Sequence, residues 1–111
     1  MKIYIELWNA KDAWLAVSEK ERENYLAQIG PALQDLVVRG VEIVAWGKND
    51  KSTAHRANYD FISIFKFPND TLIQEFEGLV EGAGWYNYFD QVNASGLIVD
   101  PTEIIGKMIE L

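Results

Sequence analysis

Apolar residues in this chain recur at every second position, then at every third or fourth, and keep switching between the two periods with no linker or low-complexity tract between. Period two marks a strand and period 3.6 an amphipathic helix, so the switching fixes the element order. Lys2 to Trp8 alternates, with Ile3, Ile5 and Leu7 on one face and Tyr4, Glu6 and Trp8 on the other. Asn9 to Val17 has room for a helical turn carrying Trp14. Ser18 followed by Glu21 is a capping-box pattern that opens a helix reaching about Arg39, with Tyr25, Leu26, Ile29, Leu33, Leu36 and Val37 along one stripe. Gly30-Pro31 predicts a kink or break inside it, and Gly40 a C-terminal cap. Val41 to Gly47 reads as a second strand, Lys48 to Ala57 as a polar loop, and Asn58 to Phe67 as a third strand, apolar on both sides. Pro68 ends that strand, and Asn69 or Asp70 caps a helix with the stripe Ile73, Phe76, Leu79 and Val80. Gln91 to Val99 is the last strand, and Asp100-Pro101 starts a terminal helix expected to turn Ile104, Ile105, Met108 and Ile109 inward.

The order β-α-β-β-α-β plus a tail helix predicts an α+β ferredoxin-like domain over residues 1–111, with both helices on one face of a four-stranded antiparallel sheet. Ile3, Ile5 and Leu7 are expected under the helices. The other sheet face would then present Tyr4, Trp8, Val44 and Trp46, an apolar area larger than a monomer usually leaves in water. The cheapest cover is the same face of a second copy, so a homodimer through the sheet is expected, with Trp46 inside the interface.

Composition narrows the chemistry. The chain has no cysteine and one histidine, which leaves no disulfide, no thiolate nucleophile or metal site, and no site built on two imidazoles. Asp50, Asp60 and Asp90 have no spacing that fixes a cation, so no metal is expected. Between Phe67 and Gly106 there are seven acids and no Lys or Arg, and the whole net charge of −7 sits in that stretch. With no cluster of cations to meet phosphates, neither nucleic acid nor an anionic membrane is an expected partner. No stretch approaches the ~20 apolar residues of a membrane span, and Met1 to Glu6 reads as a strand instead of a signal segment. The expectation is a cytoplasmic protein.

Three stretches carry a resemblance: Ala13-Trp14-Leu15-Ala16-Val17-Ser18, Gly40-Val41-Glu42-Ile43-Val44-Ala45-Trp46-Gly47, and Gly84-Trp85-Tyr86-Asn87-Tyr88-Phe89-Asp90-Gln91-Val92-Asn93. With the size and element order, they make the chain similar to the dimeric α/β-barrel superfamily, and within it to a group of short uncharacterised bacterial proteins. The resemblance implies two ferredoxin-like chains packed sheet against sheet. It implies no one function, because that superfamily holds cofactor-free monooxygenases, isomerases, heme-linked enzymes and proteins without known activity. No catalytic residue is carried over from it.

The candidate site residues come from the chain itself. Glu6 lies between two aromatics on strand one, where a carboxyl is expected to have a raised pKa and can act as a base; the bland reading is a partner cation or water at the dimer seam. His55, beside Arg56 in the polar loop, is a candidate proton shuttle or anion clamp, or simply a solvated loop residue. It is also the one conventional nitrogen ligand for a heme, in a poor place for one, so no cofactor is expected. Trp8, Trp14, Trp46, Tyr59, Trp85, Tyr86, Tyr88 and the amide of Asn93 are candidate ligand contacts, with core packing as the alternative. Gln91, Asn93 and Ser95 alternate along strand four and can orient a ligand or hydrogen-bond across an interface. Two functions fit: a small-molecule-binding or otherwise non-catalytic module, or a cofactor-independent monooxygenase or isomerase acting on an aromatic or polyketide-like substrate.

Overall fold

A computed structural model describes residues 1–111. The elements are β1 (Lys2–Ala10), α1 (Asp12–Leu15), α2 (Glu19–Val38), β2 (Glu42–Lys48), β3 (Phe61–Phe67), α3 (Asp70–Gly82), α4 (Trp85–Tyr88), β4 (Phe89–Leu97) and α5 (Pro101–Ile109). The strands form one open antiparallel sheet in the order β2-β3-β1-β4. Three of the five helix starts carry a side-chain cap. Ser18 accepts from the Glu21 N–H, Asn69 from the Leu72 N–H, and Asp100 from the Thr102 N–H. The end of α2 is a Schellman turn. Val41 N–H reaches the Leu36 carbonyl, Gly40 N–H reaches that of Val37, and Gly40 has φ 108°, which favours glycine. The motif's hydrophobic contact is between Val41 and Leu36, both buried.

The sheet faces the opposite way from the sequence expectation. Tyr4, Glu6 and Trp8 are buried, whereas Ile3, Ile5 and Leu7 are only half-buried. The core gathers Tyr4 with Phe65 and Phe67 of β3, Leu36 and Val41, and Leu72, Ile73 and Phe76 of α3, so the aromatic side of β1 lies under the helices. Register explains the choice: Tyr4 pairs with Phe65 and Lys2 with Phe67, placing rings side by side on one face. Those rings pack edge-on or tilted, with Tyr4 5.6 Å from both Phe67 and Phe76, and Phe65 5.3 Å from Phe76. Trp46 pairs with Ser63, which puts it on this helix-bearing face and not on the open one. The open face carries Ile3, Ile5 and Leu7 beside Ile62 and Ile64 on one flank and Val92 and Ala94 on the other.

Other departures have local causes. α2 runs without a break through Pro31. Pro31 and Ala27 are exposed, so water can satisfy the carbonyl the proline leaves without a donor. β3 starts at Phe61 and not at Asn58, because Asn9 takes the intervening backbone: its Nδ2 donates to the Asn58 carbonyl and its Oδ1 accepts from Asp60 N–H. The apolar residues of α5 do not turn inward. Ile104, Ile105, Met108 and Ile109 are 52 to 78 % exposed. No helix is long and apolar enough to cross a membrane.

Candidate functional site

Between the sheet and the two long helices lies a cavity of about 390 Å³. Its floor is Glu6, Trp8, Trp46 and Phe65; its roof is Tyr25, Gln28, Ile29, Ala32, Leu33 and Leu36 of α2; and its side wall runs from Phe76 to Ala83 on α3, closed at one end by Trp85. The cavity exists because α2 does not settle onto the sheet. Leu36, near its C-terminus, is its one fully buried residue. Farther back, the Tyr25 hydroxyl donates to the Ala83 carbonyl at 2.7 Å, bracing α2 against the end of α3 and above the sheet. Arg39 also ties α2 to α3, pairing with Glu75.

Glu6 is the carboxyl in this apolar space. Oε1 accepts from the Ser63 hydroxyl at 2.6 Å and Oε2 from Gln91 Nε2 at 2.7 Å. No Lys, Arg or His lines the cavity, so the cation partner considered from sequence is replaced by neutral donors. Gln91 has its orientation fixed from two sides. The Trp85 indole N–H can only donate and finds Gln91 Oε1 at 2.8 Å, which turns the Gln91 amide nitrogen toward the carboxylate. That nitrogen also reaches Asn93 Oδ1 at 2.8 Å. The chain Trp85–Gln91–Glu6–Ser63 therefore crosses β4, β1 and β3 on one face, and holds the carboxyl and one indole in fixed relation.

Burial raises the Glu6 pKa, and the hydrogen bonds from Ser63 and Gln91 only partly offset it. The folded chain then holds this proton more tightly than the unfolded chain. The stabilisation is complete below the unfolded value of about 4.3 and is lost as pH rises through the higher folded value. Glu6→Gln keeps both contacts, since its amide oxygen accepts from Gln91 and Ser63 can turn to accept from its nitrogen. The variant is expected to melt higher than the parent at pH 8, with the gain disappearing near pH 4. Thermal melts at the two values check this, and a gain that does not change with pH contradicts it.

The other candidates divide. Trp8, Trp46 and Trp85 meet at the cavity: Trp8 is 5.7 Å from Trp46 and 6.2 Å from Trp85, each pair steeply inclined. Trp14 is buried in the cluster that also holds Trp8 and Phe89, packed against Tyr25, Tyr88 and Phe89, and has no cavity surface of its own. Tyr88 belongs to that cluster, and the Tyr86 carbonyl accepts from Lys11 Nζ. Asn93 pairs with Glu6 across β1 and β4 and accepts from Gln91, but does not line the cavity. Tyr59 lends its carbonyl to Asn49 and Arg56, which organise the polar loop. His55 is exposed there with φ 53°, away from the cavity lining, and Arg56 donates from Nε to the Asp50 carbonyl and from Nη2 to those of Asn49 and Tyr59, with Asp60 beside it. No three Asp, Glu or His side chains gather as a metal-ligand set. Sequence reasoning missed Ser63 and the α2 residues of the roof. Ser63 was findable as the one small polar residue in Phe61-Ile62-Ser63-Ile64-Phe65; the roof was not, because periodicity does not report how far a helix stands from a sheet.

The fold and the cavity define a small α+β protein with an apolar, carboxyl-floored pocket between an open antiparallel sheet and two helices. The chain belongs to DUF6616, a family of unknown function, which it matches over residues 1–111. No curated protein matches it.

Proposed function

We propose that this chain is a small-molecule-binding module of ferredoxin-like topology, working as a homodimer. The observation that carries the binding reading is the cavity, whose volume of about 390 Å³ falls within the range of small-molecule sites and whose lining is mainly apolar around a single carboxyl. The strand order, taken from the other edge, is 4-1-3-2 with α2 and α3 on one face, which supports the split βαβ topology. The apolar open sheet face supports a second copy as its cover.

A small aromatic ligand is expected to quench tryptophan fluorescence, because three of the four Trp border the cavity. Trp85→Ala should weaken that ligand about tenfold, the worth of one good aromatic contact with its burial. Unchanged affinity in Trp85→Ala would remove the cavity as the binding site. Glu6 supports a second reading, a cofactor-independent monooxygenase or isomerase acting on an aromatic or polyketide-like substrate, since a buried carboxyl with a raised pKa facing an apolar cavity is the form a general base takes. Turnover of a hydroxylated aromatic under oxygen, lost in Glu6→Gln, identifies the enzyme; binding without turnover identifies the module.

A further inference from the structure

We propose that the ligand of this cavity is an organic cation, an alkyl- or arylammonium whose charged head sits between Trp8, Trp46 and Trp85 over the Glu6 carboxylate and whose apolar tail lies along α2 and α3. The inference deepens the binding reading above and rests on it. Three features of the site carry it. The indoles are inclined to one another, Trp8 to Trp46 at 78° and Trp8 to Trp85 at 67°, so they stand as walls of different orientation and not as one stack. Phe61 covers one side of Trp8 and Phe89 one side of Trp85, and the inclined indoles left lining the cavity form the kind of wall that attracts an ammonium more than a neutral group of the same shape. Glu6 supplies a negative charge at the floor. Its two oxygens have each accepted one hydrogen bond, leaving lone pairs for a further donor.

The third feature is the absence of any cation in the lining. An anionic ligand would meet a carboxyl in an apolar space with no group to compensate it, and α3 behind the wall adds Glu77 and Glu81 with no base of its own. A neutral aromatic would fill the volume but leave Glu6 without an ionic partner. An ammonium satisfies both the rings and the carboxyl, and the chain's net charge of −7 draws cations toward it. Trp46 is 56 % exposed, so the cage has one side open for the head group to enter.

The test uses three probes of matched length at neutral pH: 2-phenylethylammonium, 2-phenylethanol and phenylacetate, each titrated against tryptophan fluorescence and by calorimetry. The ammonium is expected to bind at least about tenfold more tightly than the alcohol, and phenylacetate more weakly than either. Glu6→Gln should bring the ammonium down to the level of the alcohol. Trp46→Ala, a change at an exposed position of an edge strand, should weaken the ammonium about fivefold and the alcohol less, which keeps the result independent of any folding defect in the Glu6 variant. Equal or tighter binding of the alcohol or of phenylacetate overturns the cation inference and leaves the binding reading standing. No binding of any of the three at millimolar concentration overturns both.

Discussion

Phe65→Ala is expected to lower stability by about 3–5 kcal/mol, the range for emptying a buried phenylalanine site. That is a large part of the 5–15 kcal/mol a domain usually has, and it corresponds to a fall in melting temperature of roughly 10–30 °C. Phe65 is 1 % exposed and its ring touches those of Phe67, Phe76 and Trp46, so nothing nearby can collapse into the space without breaking other contacts. Ile64→Ala, one residue away, should cost about 1 kcal/mol or less in the dissociated chain, because Ile64 lies on the open face and is already half solvated. The contrast between neighbours is a direct measurement of which sheet face lies under the helices. Denaturant melts at low protein concentration read it, and a larger loss for Ile64 than for Phe65 would put the helices on the other side.

Strand and helix positions were legible because alternation and capping are local. Lys2 to Trp8 announces a strand, and Ser18, Asn69 and Asp100 announce three helix starts that form as expected. The choice of sheet face was not local. Ile3-Ile5-Leu7 is the more uniformly apolar side, and hydropathy alone assigns it to the interior; Tyr4-Glu6-Trp8 goes there instead. The reasons lie in other strands. Phe65 and Phe67 align with Tyr4 and Lys2, and Ser63 and Gln91 sit where they can satisfy Glu6. A buried carboxyl is tolerable only with such donors, and their proximity depends on register. The same limit applies to the site. Trp8, Trp46, Trp85 and Glu6 stood out as residue types, but their meeting at one cavity, and the absence of Trp14, Tyr86, Tyr88 and His55 from it, follows from where β1, β2 and α4 are placed. The terminal helix shows a further limit. Its cap and stripe are readable, yet the stripe finds no surface within its own chain.

Ile5→Lys is the substitution expected to separate the proposed dimer. Ile5 lies on an interior strand, opposite Ile64 on one side and Ala94 on the other, at the middle of the apolar face. In a single chain the position is only half-buried, and a lysine can lay its methylenes over Ile64 while its ammonium reaches water, so folding should be nearly unaffected. In a face-to-face dimer the same ammonium is enclosed against the apolar side chains at the middle of this face. Leaving such a charge unpaired costs several kcal/mol, enough to weaken association by a hundredfold or more, to roughly 10²–10³ times the parent Kd. Lysine is the sharper choice over glutamate because it reduces the chain's net charge of −7, so dissociation cannot be attributed to added global repulsion. Sedimentation at micromolar concentration should give a dimer for the parent and a folded monomer for the variant. Trp46→Lys, on the helix-bearing face, should leave the dimer intact, in contrast to the interface role expected for Trp46 from sequence. A parent chain that sediments as a monomer, or an Ile5→Lys variant that still sediments as a dimer, would show that this face is not the one that joins two copies.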